Sequence, residues 1–307
     1  MENTVKRKGI VVVGSSNTDM VVKANRLPVP GETILGGTFL MSPGGKGANQ
    51  AITIARLGAD VVFVSKIGND LFGMQAREIY KEEKIDTRFV FTDDNNPSGV
   101  ALISIDTFGE NCIVVAGGAN MSLSRQDIDK AYRSIQEADM VLLQLEIPTD
   151  TVEYVIDTAW RLGRKVILNP APATHLSEGL VKKLYAILPN RVEAEMLTGI
   201  KVTDEKSARK AAGIIRSKGV ENVVITLGKE GAYVKNTDND LLLPAKEVEA
   251  TDTTGAGDVF CGALSVYLSE GYPLAESVAF ANAAASIAIT RIGAQTSIPY
   301  RYEVEAL

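Results

Sequence analysis

Two cysteines, one histidine and one tryptophan are all that 307 residues supply of those three types. Cys112 and Cys261 lie far apart and form no Cys-x-x-Cys pair, which argues against structural zinc or a disulfide framework and for a reducing compartment. With His175 as the single histidine, a multi-histidine metal site is excluded. A Ser–His–Asp or Cys–His relay would have to run through that one loop residue. Proton transfer therefore falls to a carboxylate tuned by its surroundings. Excess positive charge is missing too: 32 Lys and Arg face 38 Asp and Glu, a net −6, which argues against nucleic acid or an anionic membrane as partner. No apolar run is long. "VAFANAAASIAIT" is broken by Asn282 and Ser286 and is too short to span a bilayer. The opening "MENTVKRKGIVVVGSS" offers only Ile10 to Val13 as an apolar run, too short for a signal peptide and better read as a first strand. A cytoplasmic protein is expected. Nucleotide fingerprints are also lacking. "SPGGKGANQ" has neither the upstream glycine nor the following Ser/Thr of a Walker A loop, and no G-x-G-x-x-G follows the first strand, so P-loop and nicotinamide readings lose weight.

What is present is a regular alternation in a chain 45% hydrophobic. Apolar, β-branched runs stand at 9–14, 60–65, 139–146, 165–170, 185–190 and 222–228. Between them lie helix-like patterns at 47–57, 72–84, 124–137, 150–162 and 204–218, and two consecutive helices are expected at 257–271 and 274–290. Near-continuous apolar strands separated by amphipathic helices predict an α/β fold: one central, mostly parallel sheet with helices on both faces. Residues 19–42 and 98–116 break the rhythm with alternating, turn-rich patterns, a hairpin around Gly109 among them. They predict a small antiparallel sheet projecting from the main body, and the length fits either two domains or one α/β domain over 1–307 with this sheet as an appendage. An uncovered sheet must cover a ligand cleft or a second subunit. No internal repeat or long linker is visible.

Ligands of open α/β sheets sit beyond the carboxyl ends of the strands, which selects Asn17, Asp19, Glu146, Asn169, Asn190 and the 226–231 turn. "GGKGANQ" opens a helix with glycines, placing Lys46 and Asn49 in its first turn; this is either loop flexibility with an Asn cap or close backbone approach to a polar ligand. "DTTGAGD" (252–258) opens another. An acid near a helix start complements the dipole without any function. A single cap, however, requires neither two glycines nor a second acid, Asp252. If the N–H groups of this turn hold a phosphate being transferred, Asp258 makes sense as acceptor of the proton of an attacking hydroxyl. In "PNRVEAE", Glu193 and Glu195 are either plain surface acids, or Asn190 and Glu193, one turn apart, hold a hydrated Mg²⁺ beside a nucleotide.

Taken together, "GSSNTD" (14–19), "GGKGANQA", "LQLE" (143–146), "NPAPA" (169–173), "DTTGAGD" and "GAQTSIP" (293–299) resemble the ribokinase family of carbohydrate kinases over nearly the whole chain. The resemblance implies ATP-dependent phosphorylation of D-ribose at its 5-hydroxyl, with another sugar (deoxyribose, fructose) or a nucleoside as the alternative acceptor. It implies Asp258 as catalytic base and Gly255, Ala256 and Gly257 as the anion hole. Asn17, Asp19, Gly45, Lys46, Asn49 and Glu146 would bind the sugar hydroxyls. Asn190, Thr226, Gly228, Gly231, Gly257 and Asn282 would hold ATP, and Glu193 would organise Mg²⁺ through water. An activating K⁺ would sit among Asp252, Thr254, Ala288, Arg291, Gly293 and Ser297. The small sheet of 19–42 and 98–116 would be a β lid that closes over the sugar, excluding water, and pairs with its twin in a homodimer. One position departs: the motif Asn-Glu-x-Glu has Arg191 second here, so altered detail in metal use is expected. Asn17 bears on the choice of sugar, because an amide that meets a 2-hydroxyl is left unpaired by a deoxy sugar.

Overall fold

The strand β1 (Gly9–Val13) shows how the chain builds its core. Ile10 and Val12 point to one side of the sheet and Val11 and Val13 to the other, and all four are fully buried. A strand covered on both faces reads as a continuous apolar run, and each such side chain contributes roughly 1.5–3 kcal/mol of burial. The computed structural model describes residues 9–108, 110–174 and 177–307; the hairpin turn expected at Gly109, and His175, lie outside them.

Further strands are β2 (Asn17–Lys23), β3 (Thr38–Gly44), β4 (Asp60–Gly68), β5 (Asp86–Asp93), β6 (Gly99–Ile105), β7 (Asn111–Ala116), β8 (Met140–Leu143), β9 (Lys165–Leu168), β10 (Ala186–Ile187), β11 (Asn222–Thr226), β12 (Ala232–Lys235) and β13 (Asp240–Leu243). Nine form the main sheet in the order β13-β12-β11-β10-β9-β8-β1-β4-β5. It is parallel from β11 through β5, with an antiparallel hairpin, β12–β13, at one edge. On one face lie α1 (Lys46–Arg56) and α2 (Leu71–Glu82). On the other lie α3 (Arg125–Lys130), α4 (Tyr132–Glu137), α5 (Thr149–Arg161), α6 (Glu178–Val181), α7 (Arg191–Thr198) and α8 (Glu205–Ser217). The paired helices α9 (Ala256–Glu270) and α10 (Leu274–Ala288) return to the first face. Short helices α11 (Ala294–Ser297) and α12 (Arg301–Glu305) close the chain.

The doubly covered parallel sheet stands as the sequence predicts, with local differences. The helix expected over 124–137 is two, because the Ala131 N–H bonds to Ile128 in a tight i−3 turn and breaks the ladder. The run at 185–190 keeps only two strand residues. Pro189 has no N–H to give, although its carbonyl takes the Thr226 N–H and Asn190 still forms an isolated bridge to Thr226. The edge elements β5, β12 and β13 carry mixed polarity and had no clear signature. The small second sheet is present in the order β3-β2-β6-β7: its outer pairs are antiparallel and its central pair, β2–β6, parallel.

Candidate active site

Parallel strands end on one side, and their ends gather residues far apart in sequence. The turn after β1 brings Ser15 to Asn17, the turn after β8 brings Gln144 to Glu146, and β9, β10 and β11 bring Asn169, Asn190 and Thr226. The heads of α1 and α9 face each other there. Asn49 Nδ2 donates to Asp258 Oδ2 at 2.9 Å and Gln50 Nε2 to Asp258 Oδ1 at 3.1 Å. Both helices begin on glycines at positive φ. Gly45 caps α1 at φ 90, where a Cβ would also strike the Asn17 nitrogen at 2.6 Å; Gly255 caps α9 at φ 75. Only glycine takes these angles freely. Neither cap offers a side-chain acceptor. At the start of α9 the Ala256 N–H goes to the Thr253 carbonyl at 3.3 Å and the Asp258 N–H to that of Gly255 at 2.9 Å, which leaves the Gly257 N–H for a ligand. Gly257 faces open space. Asn49 is therefore not a cap: it serves Asp258.

A cavity of about 210 Å³ is lined by Lys46, Asn169, Asn190, Glu193, Thr226, Gly255, Gly257, Asp258 and Cys261, among others. Its charges are arranged around one lysine. Lys46 Nζ is 3.8 Å from Glu146 Oε1. Burial would lower the Lys46 pKa, but Asp258, Glu146 and Glu193 outweigh it and hold the ammonium on. Burial pushes Asp258 up, against Lys46 and the Asn49 and Gln50 amides. Burial, with Glu146 and Asp258 as like charges, pushes Asp19 up to about 6. Glu146 is fixed by the Ser15 hydroxyl and by the Lys46 N–H at 3.2 Å. Asn49 Oδ1 is buried with no hydrogen-bond partner.

At the nucleotide side expected from the sequence, Asn190 and Glu193 form a capping box. The Glu193 N–H donates to Asn190 Oδ1 at 2.9 Å, and the Asn190 N–H to Glu193 Oε2 at 2.8 Å. Glu193 is buried, which raises its pKa, whereas Glu195 is exposed. The arrangement is thus a helix cap whose acid also lines the cavity. Arg191 turns away: it donates to the Leu227 carbonyl at 3.1 Å and pairs with Glu230 at 2.6 Å, tying α7 to the turn that holds Gly228 and Gly231. Asn282 stands outside the cavity lining, its amide given to the Leu243 and Pro244 carbonyls.

Asp252 accepts from the Thr254 hydroxyl at 2.7 Å and the Gly293 N–H at 2.9 Å. Burial would raise its carboxyl, but these bonds hold it below the usual range. The 252–254 and 291–297 loops are so joined beside the head of α9. Ala288 ends α10 nearby, the Ser297 hydroxyl bonds Ala294, and the Arg291 guanidinium pairs with Glu303 rather than with this loop.

Three residues escaped the sequence reading. Asn120, buried, donates to Asn17 Oδ1 at 2.7 Å and so aims the rest of that amide. Gln50 and Gln144 stand behind Asp258. Asn120 sits in a short helical turn after β7 with no motif around it, whereas Gln50 was in view inside "GGKGANQ".

A sheet edge with a glycine-opened helix start, a buried carboxylate and a lysine set among acids is the equipment of a phosphoryl-transfer enzyme acting on a hydroxyl compound. The chain belongs to the pfkB family of carbohydrate kinases, whose model matches residues 7–301. It is 43% identical over 297 residues to the ribokinase of Haemophilus influenzae, covering 97% of each chain. Among solved structures it is similar to the ribokinase of Thermotoga maritima, with TM-score 0.89, 41% identity and coverage of 97% of this chain and 98% of that one. The Arabidopsis thaliana ribokinase complexed with ribose and ATP matches with TM-score 0.88, 33% identity and 98% coverage of both.

Proposed function

We propose that this chain is an ATP-dependent kinase that converts D-ribose to ribose 5-phosphate, with Asp258 as catalytic base. The observation that carries the reading is the joint placement of a buried, amide-held carboxylate and the open helix-start N–H of Gly257 on one cavity. An Asp258 oxygen takes the proton of the ribose 5-hydroxyl as that oxygen attacks the γ-phosphorus. The bond to the departing ADP oxygen breaks, and the Gly255–Gly257 turn stabilises charge on the transferring group. A carboxylate raised by burial is the stronger base, and Lys46, Asn49 and Gln50 work against that rise in favour of the ionised form. Asn17, Asp19, Gly45, Lys46, Asn49 and Glu146 hold the sugar; the unpartnered Asn49 Oδ1 supports this by needing a hydroxyl donor.

ATP lies along Asn190, Thr226, Gly228 and Gly231 towards Gly257, with Asn282 bracing the adjoining β13. Among the described residues no cluster of three or more His, Cys, Asp or Glu could hold a metal ion. A lone buried Glu193 suits Mg²⁺, which keeps most of its waters and binds substrate phosphates; bound so, it would neutralise phosphate charge. K⁺ would sit among Asp252, Thr254, Ala288, Arg291, Gly293 and Ser297. The Asp252–Gly293 link supports that placement by fixing the loops as one unit.

The small sheet serves as lid and as the contact with a second copy. Its cross-strand row Met41, Met20, Leu102 and Val114 leaves Met41, Leu102 and Val114 exposed, an apolar face of the kind that marks interaction sites. Two free cysteines and use of ATP fit work in the cytoplasm. The test is a coupled assay of ADP release on ribose, deoxyribose, fructose and adenosine, with and without K⁺. Ribose is expected to lead. Asp258→Asn should cut kcat about 10³-fold while ribose binding by calorimetry stays near wild type. Near-normal turnover in that variant would overturn the base assignment.

A further inference from the structure

Gln50 is fully buried, and its orientation is fixed from both ends. Its Nε2 donates to Asp258 Oδ1 at 3.1 Å and to Asn169 Oδ1 at 3.3 Å, while its Oε1 accepts from Gln144 Nε2. A flipped amide would set Oε1 against two acceptors, which a buried site does not tolerate. Asn169 is anchored in turn to the Leu188 carbonyl at 3.1 Å. A chain of amides therefore runs across the ends of β8, β9 and β10 and ends on one oxygen of Asp258. The other oxygen is held by Asn49, which also faces the site with a free acceptor and must adjust when a ligand enters.

We propose that Gln50, locked by Gln144 and Asn169, is the positioning residue that keeps Asp258 ionised and aimed while Asn49 engages the sugar. The inference rests on the reading of Asp258 as base. Hydrogen bonds to a carboxylate favour its ionised form, most strongly where water is excluded. The other groups around Asp258 divide between the two sides. Lys46 on α1 favours its charge; Asp19 on β2, Glu146 after β8 and Glu193 on α7 oppose it, and Cys261, one turn along α9, stays a neutral thiol because burial pushes its pKa well up. Burial and the like charges outweigh Lys46 and the amides and leave the carboxyl raised, so removing an amide donor raises it further.

The test is the pH profile of kcat at saturating ribose and ATP for wild type, Gln50→Met and Asp258→Asn. Gln50→Met keeps the side chain's length and removes its donor. It is expected to lower kcat at neutral pH roughly 10- to 100-fold and to move the acid limb upward by about one pH unit, with both KM values changing less than about threefold. Gln144→Met should move the limb the same way by less. Should Gln50→Met fail to fold, Gln50→Met/Gln144→Met removes both ends of one bond and carries the same expectation. A kcat lowered equally at every pH, or an unmoved limb, overturns the proposal. If Asp258→Asn keeps its turnover, the base reading falls instead; if that variant is dead and the Gln50→Met limb is unmoved, only the role of Gln50 is lost.

Discussion

At the residue scale, Asp19, proposed above to bind the sugar, sits in the fold at the expense of stability. Its folded pKa of about 6 lies above the ordinary 3.8. A raised carboxyl favours the folded state below the unfolded value, and that contribution is lost as pH rises through the folded one. Between about pH 4 and 6 the ligand-free protein therefore loses stability at this position. Asp19→Asn should raise the melting temperature at pH 7, by the equivalent of about 2–3 kcal/mol at most, and leave it unchanged at pH 4. Ribose affinity should fall in the same variant and, in wild type, below pH 6, if the ionised form accepts the sugar hydroxyls. Calorimetric titration and thermal melts at the two pH values check both. The sequence named Asp19 and Glu146 as site candidates because polar residues after apolar strands are easily seen, and Lys46, Asn49 and Asp258 because they stand at glycine-opened helix starts. It could not name Gln50 or Asn120 as their supports, since a buried amide looks like any other polar residue until its partners, 208 residues away for Gln50 and 103 for Asn120, are known.

At the element scale, α7 and α9 place the chemistry. α9 is buried nearly all round, as a helix apolar on every side must be, and this carries Asp258 inside with it. α7 begins with a capping box, worth about 1 kcal/mol, so Asn190 and Glu193 would be kept for folding even without a nucleotide. Arg191 turns the family departure into a brace: its bonds to Leu227 and Glu230 fix the turn 228–230. Arg191→Ala should raise the KM for ATP roughly three- to tenfold, the worth of a partly exposed charge-assisted bond, with kcat at saturating ATP near wild type. Steady-state kinetics at varied ATP check this. If only kcat falls, Arg191 acts elsewhere. The broken helix at Ala131 and the two-residue β10 were not legible because a single i−3 bond and one proline decide them.

At the scale of the molecule, the main sheet brings the cavity residues together and the small sheet is the proposed lid. Paired residues of the small sheet place Phe39, Met41, Leu102 and Val114 on one face, while Leu40 and Ile113 stand exposed on the opposite one. In the proposed pairing a second copy presents the same apolar face, as a two-fold interface requires. Val114→Asp should shift sedimentation from dimer to monomer and raise the KM for ribose, leaving the melting transition of the main sheet in place. A variant that stays dimeric would remove the small sheet from the interface.

The sequence by itself determined the doubly covered parallel sheet, the two glycine-opened helices and the acid at the head of the second, because strand period, apolar continuity and glycine placement are local properties. It also determined family membership, through motifs that are short and contiguous. Tertiary structure alone decided which amide holds which carboxylate oxygen, that Arg191 faces away from the cavity, and that the central pair of the small sheet is parallel. Those are properties of register and of strand order, and they exist only once residues far apart in the chain have been brought to the same edge.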